Sequence, residues 1–178
     1  GGRHVCDVAL HYPIESQWAT LVRQNNELAS ADHELQVELD NEFVELSMDL
    51  LEHQRDFDYL HPQNLLEAGI DGGRLAVADE EYRLLILPPM DTEDPAVLMQ
   101  AVRFARSGGK VIAVGRSPEH ASSGEDERMR QAMAELASMP PDRVRRVAGR
   151  SEMLAALDAM ITPDVKVDPA STRLLVLH

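Results

Sequence analysis

Two short apolar runs in the middle of the chain constrain its fold more than any other feature. They are Leu84–Leu87 and Lys110–Val114, the second apolar after its lysine. Each run is continuous rather than alternating, which is typical of strands buried on both faces and therefore of parallel sheets covered by helices. Pro88 ends the first run and Gly115 ends the second. Residues 94–108 between them have the spacing of a helix, so the centre of the chain predicts a strand–helix–strand unit.

The rest of the chain continues this alternation of strands and helices. Residues 3–12 and 56–60 are rich in strand-forming residues, and a proline follows closely after each. Residues 144–148 predict a last short strand, followed by a helix that Ser151 is expected to cap. About five strands alternating with helices predict a three-layer α/β fold with a mostly parallel, flavodoxin-like sheet.

The clearest predicted helix, residues 32–54, carries an unusual charge. Its apolar stripe has spacings of four, four, three and four residues, which is one face of an amphipathic helix. The stripe consists of Leu35, Leu39, Phe43, Leu46 and Leu50. Eight acidic residues and no lysine or arginine occur in the same range. Two interpretations stay open: the acids form a solvated outer face, or they belong to a surface that docks another domain.

Composition argues against several classes of function. In 178 residues, 17 Lys and Arg oppose 31 Asp and Glu, giving a formal net charge of −14. This argues against nucleic-acid binding, because phosphates require clustered basic side chains. No apolar run approaches the roughly 18–20 residues that span a bilayer, and residues 1–10 do not resemble a signal peptide. The sequence therefore predicts neither a nucleic-acid nor a membrane partner, and it leaves localisation open.

The candidate site residues follow or border the predicted strands, near the edge where open α/β sheets bind ligands. They are His11, Glu15, Trp18, Asp58, His61, Asp91 and Arg116. His11 with Glu15, and Asp58 with His61, could meet at this edge or could form a satisfied polar rim. Trp18, the only tryptophan, could stack on a sugar or a partner, or could serve packing alone.

The same edge lacks the motifs of common catalytic sites. The chain has no phosphate-binding glycine pattern, and its seven histidines form no HxH or HExxH pair, so we predict no cofactor and no metal. Where a hydrolase would place its nucleophile, the chain reads Pro-Pro-Met-Asp from Pro88, and proline cannot form that sharp turn. Cys6 lies inside the first predicted strand, where a small buried hydrophobe is expected. We therefore assign no catalytic residue.

Both ends of the sequence suggest a segment of a longer protein. It opens on Gly1-Gly2-Arg3 without a methionine, and residues 172–178 contain a strand-like apolar run. We expect residues 1–178 to be a single α/β domain taken from a multidomain protein. Residues 172–178 are expected to start a following β-rich domain.

Five phrases, in order along the chain, resemble one family of large hydrolases. They are VALHYP from Val8, SQWA from Ser16, FDY from Phe57, YRLLILPPM from Tyr82 and GGKVIAVGR from Gly108. The set resembles the domain that follows the catalytic barrel in α-L-rhamnosidase-type glycoside hydrolases, glycoside hydrolase family 106 and its relatives. That domain is similar to the class I glutamine amidotransferase fold and to the trimerisation domain of some β-galactosidases.

The resemblance implies a role without chemistry of its own. In that family the catalytic acids belong to the barrel, so the chain is expected to be a non-catalytic domain that braces it. The expected partners are other domains of the parent hydrolase, carbohydrate, and a second copy of the chain. The amidotransferase likeness stops at the fold, because the nucleophile position reads Pro-Pro-Met. The alternative is a free-standing flavodoxin-like module with a small-molecule or partner site at His11, Asp58, Met90 and Arg116.

Overall fold

The computed structural model describes residues 6–24, 27–30 and 33–162. The strands in these ranges are β1 (Val8–His11), β2 (Leu21–Gln24), β3 (Glu27–Ser30), β4 (Asp58–Leu60), β5 (Gly69–Asp71), β6 (Arg74–Val77), β7 (Glu80–Tyr82), β8 (Leu84–Leu87), β9 (Thr92–Glu93), β10 (Lys110–Val114), β11 (His120–Ala121) and β12 (Val144–Val147). The helices are α1 (Ile14–Thr20), α2 (His33–Glu52), α3 (Pro62–Glu67), α4 (Pro95–Arg106), α5 (Asp126–Ser138) and α6 (Arg150–Met160).

Five of these strands form a central sheet in the order β12-β10-β8-β1-β4. Every pairing within it is parallel. Numbered by their place in the chain, these strands run 5-4-3-1-2, which is the flavodoxin-like order read from its other edge. The predicted three-layer α/β fold with a five-strand parallel sheet is therefore confirmed. Chain order breaks between β1 and β8, and this pair marks the switch point at which such sheets bind ligands.

Helices cover both faces of the sheet. On one face, α3, α4 and α5 pack over a core that includes Leu85 and Val111. On the other face, α2 and α6 pack over Leu84, Ile86 and Ile112. Successive residues of a strand point to opposite faces, so a strand covered on both sides must be apolar at every position. Strand β8 meets this condition, since all its side chains are at most 1% exposed.

Helix α2 lies where its apolar spacing predicted it. Of its stripe, Leu39, Phe43, Leu46 and Leu50 are buried and Leu35 is half-buried. The Phe43 ring lies 5.5 Å, centroid to centroid, from the rings of both Tyr12 and Tyr59. Each fully buried side chain of this size contributes roughly 1.5–3 kcal/mol, so the stripe holds α2 against the sheet.

Helix α4 begins and ends at signals that the sequence contains. The carboxylate of Asp94 accepts a hydrogen bond from the backbone N–H of Ala96 at 2.8 Å, which caps the first turn. Pro95 occupies the first helical position, where its missing N–H costs nothing. Just beyond the other end, Gly108 adopts a φ of +111°, which a side chain would strain.

Three small sheets lie outside the sequence-based expectation. Strands β5, β6 and β7 form an antiparallel meander, β2 and β3 form a hairpin, and β9 pairs with β11 in parallel. The hairpin turn that leads into β6 uses Gly72 and Gly73 at positive φ. Strands of two to four residues are too short to show a period, so their pairing depends on tertiary contacts.

The last described helix corrects one expectation. The N-cap of α6 is Gly149 and the helix begins at Arg150, so Ser151 lies within the first turn and does not cap it. The Glu152 carboxylate instead accepts from the backbone N–H of Ala148 at 2.9 Å, which stabilises the same end of the helix. The β-rich start expected at residues 172–178 lies outside the described residues.

Candidate functional site

A buried histidine–glutamate hydrogen bond lies at the switch point of the sheet. His11 ends β1, and its Nε2 atom lies 2.5 Å from Oε2 of Glu93 in β9. Both side chains are 0% exposed. The other carboxylate oxygen of Glu93 accepts from the backbone N–H of Asp94 at 2.8 Å. Because a carboxylate only accepts, His11 donates from Nε2, and its Nδ1 has no hydrogen-bond partner among the described residues.

Ser16 fastens helix α1 to the same loop. Its hydroxyl donates to the carbonyl of Thr92 at 2.7 Å and accepts from the N–H groups of Asp91 and Thr92 at 3.1 and 3.0 Å. One donor and two acceptor positions are all that a hydroxyl offers. The side chain is also buried, so Ser16 seals the gap between α1 and β9.

The space beyond strands β8 and β10 is filled as well. Met90 is 2% exposed and its N–H donates to the carbonyl of Arg116 at 3.1 Å. The cavity between these strand ends has a volume of about 10 Å³, which is room for roughly one water molecule. Arg116 pairs with Asp91 at 3.4 Å on the outside. The crevice in which this kind of sheet binds ligands is therefore closed by the chain's own side chains.

Glu15 lies at the rim of the closed crevice. Partial burial, with the Glu93 carboxylate next in importance, raises the pKa of Glu15, while a hydrogen bond with Ser122 and the proximity of His61 act in the opposite direction. Glu15, Glu93 and His61 thus lie close enough to interact electrostatically. This agrees with their positions in the chain, because they follow β1, β8 and β4 at the carboxyl edge of the sheet. The structure pairs His11 with Glu93, however, and not with Glu15.

Replacing Glu15 with glutamine is expected to stabilise the domain at neutral pH. A carboxyl whose pKa is raised on folding costs stability once it ionises in both states. The cost is absent below the unfolded value of 4.5 and develops as the pH rises through the higher folded value. The free energies of unfolding of Glu15→Gln and of the parent chain, measured in urea, should therefore be equal below pH 4.5 and differ increasingly towards pH 7. Glu119→Gln, at an exposed loop residue, is the matched control, and an equal gain in that variant would contradict the account.

Asp58 and His61 do not form the pair that their spacing allows. Asp58 begins β4, so it lies towards the amino end of the strand, where it accepts from the Tyr82 hydroxyl at 3.1 Å. Burial and the nearby Asp58 carboxylate raise the pKa of Tyr82, which keeps the phenol protonated as a donor. His61 follows the other end of β4 and caps α3, accepting from the N–H of Gln63 at 3.2 Å. Each side chain therefore makes a hydrogen bond within the fold, Asp58 with Tyr82 and His61 with the first turn of α3.

The surroundings of Cys6 and Trp18 show what these two candidate residues can do. Cys6 is buried, and its thiol donates to the carbonyl of Val8 at 3.2 Å. Burial raises the pKa of Cys6 to about 12, so the thiolate that would act as a nucleophile is not formed at neutral pH. Trp18 is 57% exposed on α1.

Glu93 is the residue that sequence reasoning misses. It lies two positions after Asp91, in the loop that leaves β8 and just before the cap of α4. Its partner His11 is 82 residues away in sequence, so no spacing links the two. The available signal was its position alone, since residues after a central parallel strand gather at the ligand-binding edge.

A larger groove lies elsewhere, along the outer edge of the sheet. It has a volume of about 570 Å³ and runs beside β12, between the end of α5 and the side of α6. Its polar lining comes from Arg145, Arg146 and Glu152. None of the predicted site residues contributes to it.

Two further expectations were compared with the described residues. In residues 6–24, 27–30 and 33–162, no group of three or more His, Cys, Asp or Glu side chains is arranged to hold a metal ion. Nor does any helix in the described part of the chain have the length and apolar character needed to cross a bilayer.

Comparison with known proteins gives distant likenesses to solved structures. No protein-family model matches the chain, and no curated protein matches it. Among solved structures, apo exo-carrageenase GH42 from Bacteroides ovatus aligns with a TM-score of 0.49 and 11% identity. The alignment covers 85% of this chain but only 17% of that enzyme. That enzyme is a glycoside hydrolase.

Proposed function

We propose that this chain is a non-catalytic domain of a glycoside hydrolase of the α-L-rhamnosidase type, with a structural role towards the other domains. The observation that carries the proposal is the closed switch point. His11, Met90 and Glu93 are each at most 2% exposed, and they occupy the place where a substrate would lie. A catalytic centre needs groups that a substrate can reach within hydrogen-bond distance.

The chemistry of the strand ends supports the same proposal. The residues after β8 are two prolines and a methionine, none of which can act as a nucleophile or general base. The acids nearest this edge have partners within the chain: Glu93 binds His11, Asp94 caps α4 and Asp91 pairs with Arg116. Paired carboxylates that cleave glycosidic bonds must face a substrate from opposite sides, and the Glu93 side chain is 0% exposed.

The glycoside hydrolase part of the proposal draws on the five sequence phrases that resemble the accessory domain of such enzymes. In those enzymes the catalytic acids lie in a separate barrel. The parent would therefore hydrolyse a glycosidic bond with residues outside this chain, and specificity for one sugar would lie there too.

A panel of aryl glycosides, beginning with the α-L-rhamnoside, tests this proposal. The assay compares the 178-residue chain with the longer protein that contains it. We expect turnover by the longer protein and none by the isolated chain. Turnover by the isolated chain would contradict the non-catalytic role, and failure of both proteins on the whole panel would contradict the glycoside hydrolase assignment.

A second candidate function is a free-standing binding module, and one observation favours it. The groove beside β12 falls within the volume range of roughly 300–1,000 Å³ that is usual for ligand sites, whereas the site expected at His11, Asp58, Met90 and Arg116 is closed or dispersed. Calorimetric titration with monosaccharides would support this function if binding is lost on Arg146→Ala. The absence of binding by the unmodified chain would dismiss it.

A further inference from the structure

The outward side of α2 carries a second apolar stripe that does not touch the sheet. It consists of Val37, Val44, Met48 and Leu51, which are between 41% and 57% exposed. The two other large hydrophobic side chains exposed among the described residues are Trp18 of α1 and Tyr59 of β4, whose ring lies 5.5 Å from that of Phe43 in α2. Isolated exposed hydrophobics are ordinary, but a stripe along one helix marks an interaction surface.

The spacing of this stripe is that of a helix-packing seam. With exposed Asn41 included, the positions are Val37, Asn41, Val44, Met48 and Leu51, which lie four, three, four and three residues apart. This alternation is the heptad pattern by which one helix packs along another. A polar asparagine at one seam position fixes the register of such pairs. The pattern therefore favours a helix, rather than a flat sheet, as the surface that covers it.

The charges beside the seam define the partner further. The residue directly after each of three seam positions is a glutamate: Glu38, Glu45 and Glu52. In helix pairs these positions face the flanking residues of the partner and select it by charge. Glu45 already accepts a basic side chain, since Arg150 of α6 lies 3.2 Å from it.

A second copy of the chain does not fit this seam. The opposite flank carries Asp40 and Ser47, and α2 contains no lysine or arginine. A parallel pair would place Asp40 against a glutamate, and an antiparallel pair would place the glutamates against each other. Like charges at these positions are unfavourable in both orientations.

We propose that the α2 seam docks a helix that has its own apolar seam and carries Lys or Arg opposite Glu38, Glu45 and Glu52. The inference rests on the proposed function for one detail only, that this basic helix belongs to a neighbouring domain of the same protein. The α1 side of the seam is held in place independently, because Gln17 donates to Asp40 at 2.9 Å. The surface therefore exists before the partner arrives.

Two synthetic helical peptides of about three heptads test the proposal. They share one leucine and isoleucine seam, and one has lysine at all flanking positions while the other has glutamate. Calorimetry with the 178-residue chain should detect the lysine peptide and not the glutamate peptide. Binding of both peptides, or of neither, would overturn the proposal.

Variants of α2 separate the seam from general charge attraction. Val44→Asp with Met48→Asp should weaken binding of the lysine peptide by about thirtyfold or more, because two apolar contacts are lost. The matched control adds the same charge at exposed positions of α5, Gln131→Asp with Ala134→Asp, and should bind as the parent does. Equal affinity of all three proteins would overturn the proposal.

Charge reversal gives the converse test. Glu38→Lys with Glu52→Lys should weaken the lysine peptide about fivefold or more and allow the glutamate peptide to bind. Sedimentation of the unmodified chain should show a monomer, and a dimer abolished by the Val44→Asp, Met48→Asp variant would overturn the proposal in favour of a second copy. These results do not depend on the glycoside panel, so either proposal can fail alone.

Discussion

Glu93→Ala is expected to lower the free energy of unfolding by about 2–5 kcal/mol, the combined cost of unsatisfied buried donors and a new cavity. The substitution removes the partner of His11 Nε2 at a site with no solvent access. It also removes the acceptor of the Asp94 N–H and leaves a cavity. Urea unfolding followed by circular dichroism at pH 7 measures the loss.

Two further variants separate the pair from its surroundings. Glu93→Gln keeps the volume and one acceptor, so it should lose clearly less stability than Glu93→Ala. His11→Leu with Glu93→Met should recover part of the loss, because replacing both partners of a buried hydrogen bond by apolar groups of similar shape can be nearly neutral. A loss below about 1 kcal/mol for Glu93→Ala would mean that water reaches the pair and that the crevice is not closed.

Gly73→Ala is expected to cost about 2–4 kcal/mol, from positive φ and from overpacking together. Gly73 turns the β5–β6 hairpin with a φ of +78°, where a side chain is strained. An added Cβ would also lie 2.8 Å from the carbonyl carbon of Gly108, which is backbone and cannot rotate away. This contact joins the small meander to the turn between α4 and β10.

Gly72→Ala is the matched control for this prediction. Gly72 also has a positive φ, +52°, but no atom lies within 4 Å of its added Cβ. The neighbouring variant should therefore show the backbone strain alone, roughly 1–2 kcal/mol. Equal losses in the two variants by urea unfolding would contradict the close approach of the meander to Gly108.

The sequence predicted the central sheet because a strand buried on both faces appears as a continuous apolar run. Strand β8 is apolar at every position, and α2 repeats its buried residues every three or four positions, so both patterns are visible without the structure. The segments that form the meander and the β9–β11 pair have no comparable apolar pattern. They are short, and their positions depend on contacts such as that between Gly73 and Gly108.

The site was predicted by place and missed in its pairing. His11, Glu15 and His61 do gather near the carboxyl edge, as strand order requires. The partner of His11 in the structure is Glu93. This pairing depends on the packing of α1 and β9 near the end of β1, and no local sequence pattern predicts that packing. Asp58 was expected near the same edge as a possible partner of His61; the observed strand begins at Asp58, so this residue lies at the opposite end.

The apolar seam of α2 was visible only in part. The acid-rich helix admitted a solvated face or a docking surface, and sequence alone left both open. The exposed fractions of the side chains divide the apolar residues of α2 into two stripes, one that packs on the sheet and one that does not. The second stripe and its flanking glutamates are the observations on which the proposed docking surface rests.

The most direct test of the central claim, that the closed crevice serves folding and not turnover, uses Glu93→Gln in the longer hydrolase proposed above. The measurement is kcat on the aryl glycoside for which the glycoside panel shows the fastest turnover, together with the thermal unfolding of the variant. We predict an unchanged kcat and a lowered unfolding temperature for this domain. A large fall in kcat with the domain still folded would contradict the account, because Glu93 would then take part in the reaction.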